Sequence, residues 1–311
     1  MNKTTSNSVF NIKNMLRRGF IKQTGLLTAS TLLPISCLSS MNMRNYKMGL
    51  QAYTIRDAME KDLIGSLNTV KYLGFEDLEL YGFNPVDETY YGHSATGFKK
   101  IIDDIGLTAS SCHYGFSDYF EVSDDELSTY VSKCIKGAKK LNLSYITWPW
   151  LAPKYRNIES FKILADKLNR IGEQVNKSGL GFAYHNHDFE FIEEDGQIGY
   201  DFIMNNTESN LVKLQLDLYW AVHSSKLSPE ELIAKEPERF VMWHIKDMDK
   251  ITRDYTELGN GAIDYTKMLA SLDQTGLKYY YLEQGGNFAR NSIQSITDSA
   301  AYFKNNLQQY L

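Results

Sequence analysis

Residues 158–187 read IESFKILADKLNRIGEQVNKSGLGFAYHNH, and this stretch carries the fold in miniature. Its first part, Ile158–Ser178, has apolar residues at helical spacing and predicts an amphipathic helix. Gly179 follows where a left-handed cap is expected, and Gly181–His185 then reads as a short buried strand. The same unit recurs in both directions. Helical segments at Leu63–Leu73, Asp124–Leu141 and Tyr265–Thr275 alternate with strands, and Gly74 and Gly276 are expected to cap in the manner of Gly179. The strands are predicted at Met48–Tyr53, Asp77–Tyr81, Thr108–His113, Tyr145–Trp148, Gly181–His185, Val212–Asp217, Val241–Lys246 and Tyr279–Glu283. Eight strands alternating with helices over residues 46–311 imply an α/β fold, a closed parallel (β/α)8 TIM barrel, with an open doubly wound sheet as the alternative. No Gly-x-Gly-x-x-Gly follows a strand, which argues against a dinucleotide site.

Outward from the barrel, the N-terminal segment has a different character. Arg17-Arg18-Gly19-Phe20-Ile21-Lys22 precedes an apolar run from Thr24 to Leu38, too short to span a bilayer comfortably. Residues 1–40 are therefore expected to be a twin-arginine-like export signal or a lipoprotein leader, with Cys37 as the lipid-anchor position. The expected location is the periplasm, free or membrane-anchored and facing it. Cys112 and Cys134 are the cysteines beyond the leader, and they read as small buried apolar residues, not a disulfide framework. A net charge of −5 excludes the basic footprint that a nucleic-acid partner needs. A small carbohydrate suits this balance better, and a homo-oligomer is compatible with it.

Functional groups of such barrels sit at the C-terminal ends of the strands. Here those ends carry Glu79, His113, His185 with His187, Asp217, His244 with Lys246, and Glu283. Carboxylates and imidazoles directed into a barrel mouth must be paired or hold a metal. Trp148, Trp150 and Trp220 also fall near strand ends, where they are expected to offer a stacking platform to a sugar, whereas Trp243 reads as packing. His93 and His223 read as surface residues.

Several stretches in this order resemble the xylose isomerase-like barrel superfamily, which includes ketose 3-epimerases, hydroxypyruvate isomerases, inosose dehydratases and endonuclease IV. They are Leu50–Asp57, Ala183–Phe191, Leu216–Trp220, His244–Asp247 and Glu257–Asp264. The resemblance implies one divalent ion bound by residues of the last four strands. Asp217, His244 and Glu283 match three of these, and His185 stands where the epimerases keep a glutamate. A set of two imidazoles and two carboxylates suits Mn²⁺ first, then Zn²⁺, Co²⁺ or Fe²⁺, and Mg²⁺ less well. His187 lies on the same strand face as His185 and competes with it for the ligand role; the other expectation for His187 is acid/base or substrate contact.

The resemblance further implies proton abstraction beside a metal-bound ketone, with Glu283, His187 and His113 as proton carriers and Lys246 neutralising the oxyanion. The bland alternative for Lys246 is a salt bridge with Asp247 or a helix carboxylate. Glu79 is expected either as a substrate contact or as a partner orienting His113. A His-x-His after the fifth strand resembles the inosose dehydratases and tilts the expectation from isomerisation or epimerisation toward a lyase reaction on a keto-sugar or keto-glycoside. An endonuclease-like reading lacks ligands, since Trp220 and Asp254-Tyr255-Thr256 stand where that family keeps histidines. A sugar-binding barrel without catalysis is the remaining alternative.

Overall fold

Eight parallel strands close into a barrel in the computed structural model, which describes residues 46–311. The expected export signal and Cys37 lie outside the described residues. In chain order the barrel strands are β1 (Gly49–Gln51), β2 (Asp77–Leu80), β3 (Thr108–His113), β4 (Tyr145–Trp148), β5 (Gly181–His185), β6 (Lys213–Asp217), β7 (Phe240–Ile245) and β8 (Tyr279–Leu282). Each pairs in parallel with its sequence neighbour, and β1 closes on β8, with Gly49 beside Tyr281. Among the described residues no helix is long and apolar enough to cross a membrane.

The strands form because their residues are buried on both faces, the interior by barrel side chains and the exterior by helices. Thus β7 is buried at every position and carries Trp243 into the core as expected. Helices Ala95–Ile105, Asp124–Leu141 and Ile158–Lys177 each begin on a side-chain cap, from Ser94, Ser123 and Asn157 respectively. Such caps satisfy amides that the first turn leaves without partners. Cys112 and Cys134 are free and buried.

Three differences from the sequence reading have local causes. The first strand ends at Gln51 because the Gln51 side-chain oxygen accepts from the Tyr53 amide at 3.0 Å and starts a 3₁₀ turn at Ala52–Ile55. The helix from Tyr265 stops at Ser271, four residues early, because Leu272 is extended. Gly179 takes the left-handed cap at φ +86°, but Gly276 does not. A Cβ on Gly276 would meet the Pro237 carbonyl oxygen at 2.3 Å, so that glycine serves close backbone approach.

A candidate metal centre at the barrel mouth

Register brings the polar strand ends together. Asp217 sits beside His244 across β6 and β7, Gln215 beside His185 across β5 and β6, and Gln51 beside Glu79 across β1 and β2. Asp217 has two tasks. Its Oδ1 caps helix Leu218–Ser224, accepting from the Tyr219 amide at 3.0 Å, which leaves Oδ2 facing the barrel interior. The Asp217 amide in turn donates to Asn186 Oδ1 at 3.0 Å, tying the end of β6 to the end of β5.

Ligand atoms of Asp217, His244 and Glu283 all lie within 4.8 Å of one another. Asp217 Oδ2, His244 Nδ1 and Glu283 Oε2 are buried and lack hydrogen bonds of good geometry. Their contacts are ionic: Lys246 Nζ stands 2.6 Å from Asp217 Oδ2 and 2.9 Å from Glu283 Oε2, while His244 Nδ1 stands 2.5 Å from that same Glu283 oxygen. Two buried carboxylate oxygens and an imidazole nitrogen that converge without hydrogen bonds of good geometry fit a divalent ion chemically. Lys246 therefore pairs with the cluster itself and not with Asp247. Asp247 is spent on the Gly259 and Gly261 amides, which its Oδ2 accepts at 2.9 and 3.1 Å.

Two imidazoles complete the centre. His185 Nε2 is 3.7 Å from Asp217 Oδ2, and a second group of convergent ligand atoms joins His113, His185 and His244. His187 lies farther out, with its ring centroid 4.9 Å from that of His185. Both His185 and His187 are pushed well below the ordinary histidine range, first by burial and then by neighbouring positive groups, so both are neutral in neutral solution. His244 goes the other way. Burial disfavours its charge, yet the carboxylates of Glu79 and Glu283 raise it to about 9. Burial raises Asp217, whereas Lys246 and His244 outweigh burial at Glu283 and hold it well below the usual carboxylate range.

The cavity above this cluster has a volume of about 590 Å³, and His113, His185, His187, Lys246 and Glu283 reach its wall. Aromatic faces come from Tyr53, Tyr81, Trp150 and Tyr255. The expected platform therefore shifts. Trp148 is fully buried, stacks on Phe116 at 5.2 Å and donates Nε1 to the Trp150 carbonyl, so it packs the wall from behind. Its neighbour Trp150 lines the cavity and is 40% exposed. Trp220 packs edge-on against Tyr219 and Tyr255 and lies 5.9 Å from the His187 ring, behind the cavity surface. Glu79 is likewise no wall residue: it is fully buried beneath His113 and His244. His93 is exposed as expected, and His223 is partly buried beside Ser224.

Sequence reasoning missed Gln51, Gln215 and Glu190. Glu190 is fully buried, with Tyr184 Oη donating to its Oε1 at 2.7 Å and the His187 amide to its Oε2 at 2.8 Å, so it pins the turn that carries His187. Burial raises Glu190 to about 8 against those two donors. A carboxyl raised in the folded state binds its proton more tightly than in the unfolded chain. Its contribution is therefore full below about 4.5 and is lost as pH rises through about 8. Glu190→Gln is expected to remove a stability decline of a few kcal/mol between those pH values. Urea unfolding at pH 5 and pH 8 checks this; equal slopes in variant and parent would contradict it.

Fold and site together define a (β/α)8 barrel with a buried cluster of carboxylates and imidazoles at its C-terminal mouth. The model of the xylose isomerase-like TIM barrel family matches residues 67–305, and the chain belongs to that family. An inosose dehydratase of Clostridium beijerinckii is 27% identical over 145 residues, covering 41% of this chain and 48% of that relative. The chain thus spans about half the length of the curated relatives it matches. A sugar phosphate isomerase/epimerase structure from Parabacteroides distasonis superposes with a TM-score of 0.74 at 27% identity, covering 86% of this chain and 97% of that one. The structure of an IolI protein with a bound zinc atom shares the fold at a TM-score of 0.68 and 17% identity, covering 85% and 99%.

Proposed function

We propose that this protein is a divalent-metal-dependent enzyme that removes a proton next to the ketone of a keto-sugar or keto-glycoside, with elimination or hydration as the net reaction. The observation that carries this reading is the convergence of Asp217, His244 and Glu283 within 4.8 Å at the floor of the cavity. His185 is the fourth ligand in this reading, because it stands nearer Asp217 than His187 does. The ion is Mn²⁺ first, with Zn²⁺, Co²⁺, Fe²⁺ or Mg²⁺ as alternatives. When bound, it supplies a Lewis acid that polarises a ketone and stabilises the charge of an enediolate.

The chain's own residues do the rest. Lys246, held between two carboxylates, is a fixed positive charge near a developing oxyanion. His113, His187 and Glu283 line the same cavity and carry protons to and from the substrate. His187 suits this work because it is neutral and its Nδ1 has no hydrogen-bond partner. Tyr53 and Trp150, 41% and 40% exposed, offer ring faces to the C–H faces of a sugar.

The likeness to inosose dehydratases supports elimination. Return of the same proton would instead give isomerisation or epimerisation, a reading supported by the sugar phosphate isomerase/epimerase that matches over most of its length. We place this activity in the periplasm, after export on the leader at residues 1–40, with Cys37 as an anchor point.

Deuterium exchange tests the reading. The metal-loaded chain in D₂O is expected to wash deuterium into the carbon beside the ketone of an inosose or a 3-keto-glucoside, read by proton NMR. A chain that binds Mn²⁺ or Zn²⁺ yet exchanges no such hydrogen across a panel of keto-sugars would instead be a binding protein.

A further inference from the structure

Glu79 is fully buried in the barrel interior, and four polar side chains surround its carboxylate. Gln51 Nε2 donates to Oε2 at 2.7 Å and Gln215 Nε2 donates to Oε1 at 2.7 Å. His244 Nε2 lies 2.5 Å and His113 Nε2 3.0 Å from Oε2. An ionised carboxylate can only accept, so the two amides and the His244 N–H donate to it, while the His113 Nε2–H is shared between Glu79 Oε2 and Gln215 Oε1.

The two glutamine amides cannot turn over. Gln51 Oε1 already accepts from the Tyr53 amide at 3.0 Å, which directs its NH₂ toward Glu79. Gln215 gives its NH₂ to Glu79, which leaves its Oε1 facing His113 Nε2 at 2.8 Å. An amide oxygen only accepts, so His113 Nε2 carries the hydrogen. The lone pair of His113 is thereby left on Nδ1, which the Gln51 amide nitrogen approaches at 3.4 Å. His244 meets a carboxylate at each ring nitrogen, Glu79 at Nε2 and Glu283 at Nδ1, so without a metal it carries hydrogen on both; a metal held by Asp217 and Glu283 would displace the Nδ1 hydrogen and leave the one that Glu79 holds on Nε2.

We propose that Glu79 is a positioning residue that fixes the Nε2–H tautomer of both His113 and His244. One buried carboxylate thus aims His244 Nδ1 toward Asp217 and Glu283 and keeps His113 Nδ1 an acceptor, the role in which it meets the Gln51 amide at 3.4 Å. Ligating histidines commonly donate their second N–H to a carboxylate, and losing such a partner weakens metal binding about 10- to 100-fold. Here the carboxylate contacts two imidazoles at once, alongside a pair of locked glutamines. The inference rests on the proposed metal reading for His244 but not for His113.

The test is Glu79→Gln in the full chain. A glutamine has one acceptor oxygen and a new NH₂, which must face at least one of the N–H groups that Glu79 accepts from. Ring-nitrogen NMR of the ¹⁵N-labelled protein is expected to show Nε2–H on His113, and on His244 when Zn²⁺ is bound. In Glu79→Gln at least one ring should lose that tautomer, and Zn²⁺ affinity, measured against a chromophoric chelator, should fall about 10- to 100-fold. Unchanged tautomers overturn the proposal, as does a lowered melting temperature with unchanged Zn²⁺ affinity, which marks a purely structural role. Should Glu79→Gln fail to fold, Gln215→Leu removes the amide acceptor of His113 and one donor to Glu79 while leaving the carboxylate in place. His113 and His244 should then both keep Nε2–H against Glu79, and loss of that tautomer at His113 overturns the proposal, because the amide and not the carboxylate would be its keeper. A parent chain that binds no Zn²⁺ would sink the proposed function, while the His113 tautomer would still decide this inference.

Discussion

Asp217→Asn is expected to slow turnover severely while leaving the barrel folded. Asparagine keeps an oxygen where Oδ1 accepts from the Tyr219 and Trp220 amides, and it is as good an N-cap as aspartate. It loses only the anionic Oδ2 that faces Lys246, His244 and Glu283. Metal stabilisation of developing charge amounts to several kcal/mol, so deuterium exchange should slow by roughly 10³-fold. Zn²⁺ or Mn²⁺ content after dialysis should fall with it. Asp217→Ala serves as the contrast, because it removes the cap as well and should cost about 1 kcal/mol more in stability. Full metal content and full exchange in Asp217→Asn would remove this residue from the centre.

The reason this prediction was within reach of the sequence is geometric. All eight strands are buried on both faces, so each shows as a short apolar or aromatic run, and the residue that breaks the run stands at the mouth. Asp217, His244 and Glu283 were legible in that way. What lay one layer deeper was not. Gln215 precedes Asp217 by two residues and shares its strand face, so alternation could have placed it inside the barrel. A neutral amide, however, gives no chemical signal until its partner is known. Trp148 shows the same parity rule overlooked: it pairs in register with Tyr184, which precedes the inward His185 and so faces outward. The ring behind the wall and the ring on it, Trp150, differ by a strand end that propensity cannot locate to one residue. Lys246 was ambiguous for another reason. Whether it would meet Asp247 or the cluster depended on a loop at residues 257–263 folding back to occupy Asp247, a long-range event without a local signature.

Removing that lysine should have the largest effect on stability. Lys246 is 3% exposed and is the ammonium that contacts both Asp217 and Glu283. Lys246→Met keeps the volume and takes away the charge, leaving two buried carboxylates close together with His244 as their nearest counter-charge. Breaking a buried pair from one side typically costs about 3–5 kcal/mol. In EDTA the melting temperature should therefore drop by roughly 10 °C for a domain of this size. A divalent ion that binds the folded state restores stability by mass action, and in the variant it meets no competing ammonium. Added Mn²⁺ or Zn²⁺ should thus raise the melting temperature of Lys246→Met by more than it raises that of the parent, and recover most of the loss. The two halves of this result test different things. A small drop in EDTA would mean that the lysine does not neutralise the pair. A large drop that metal fails to reverse would mean that Asp217 and Glu283 serve the lysine alone, and the centre would have to be sought at the His113, His185 and His244 group instead.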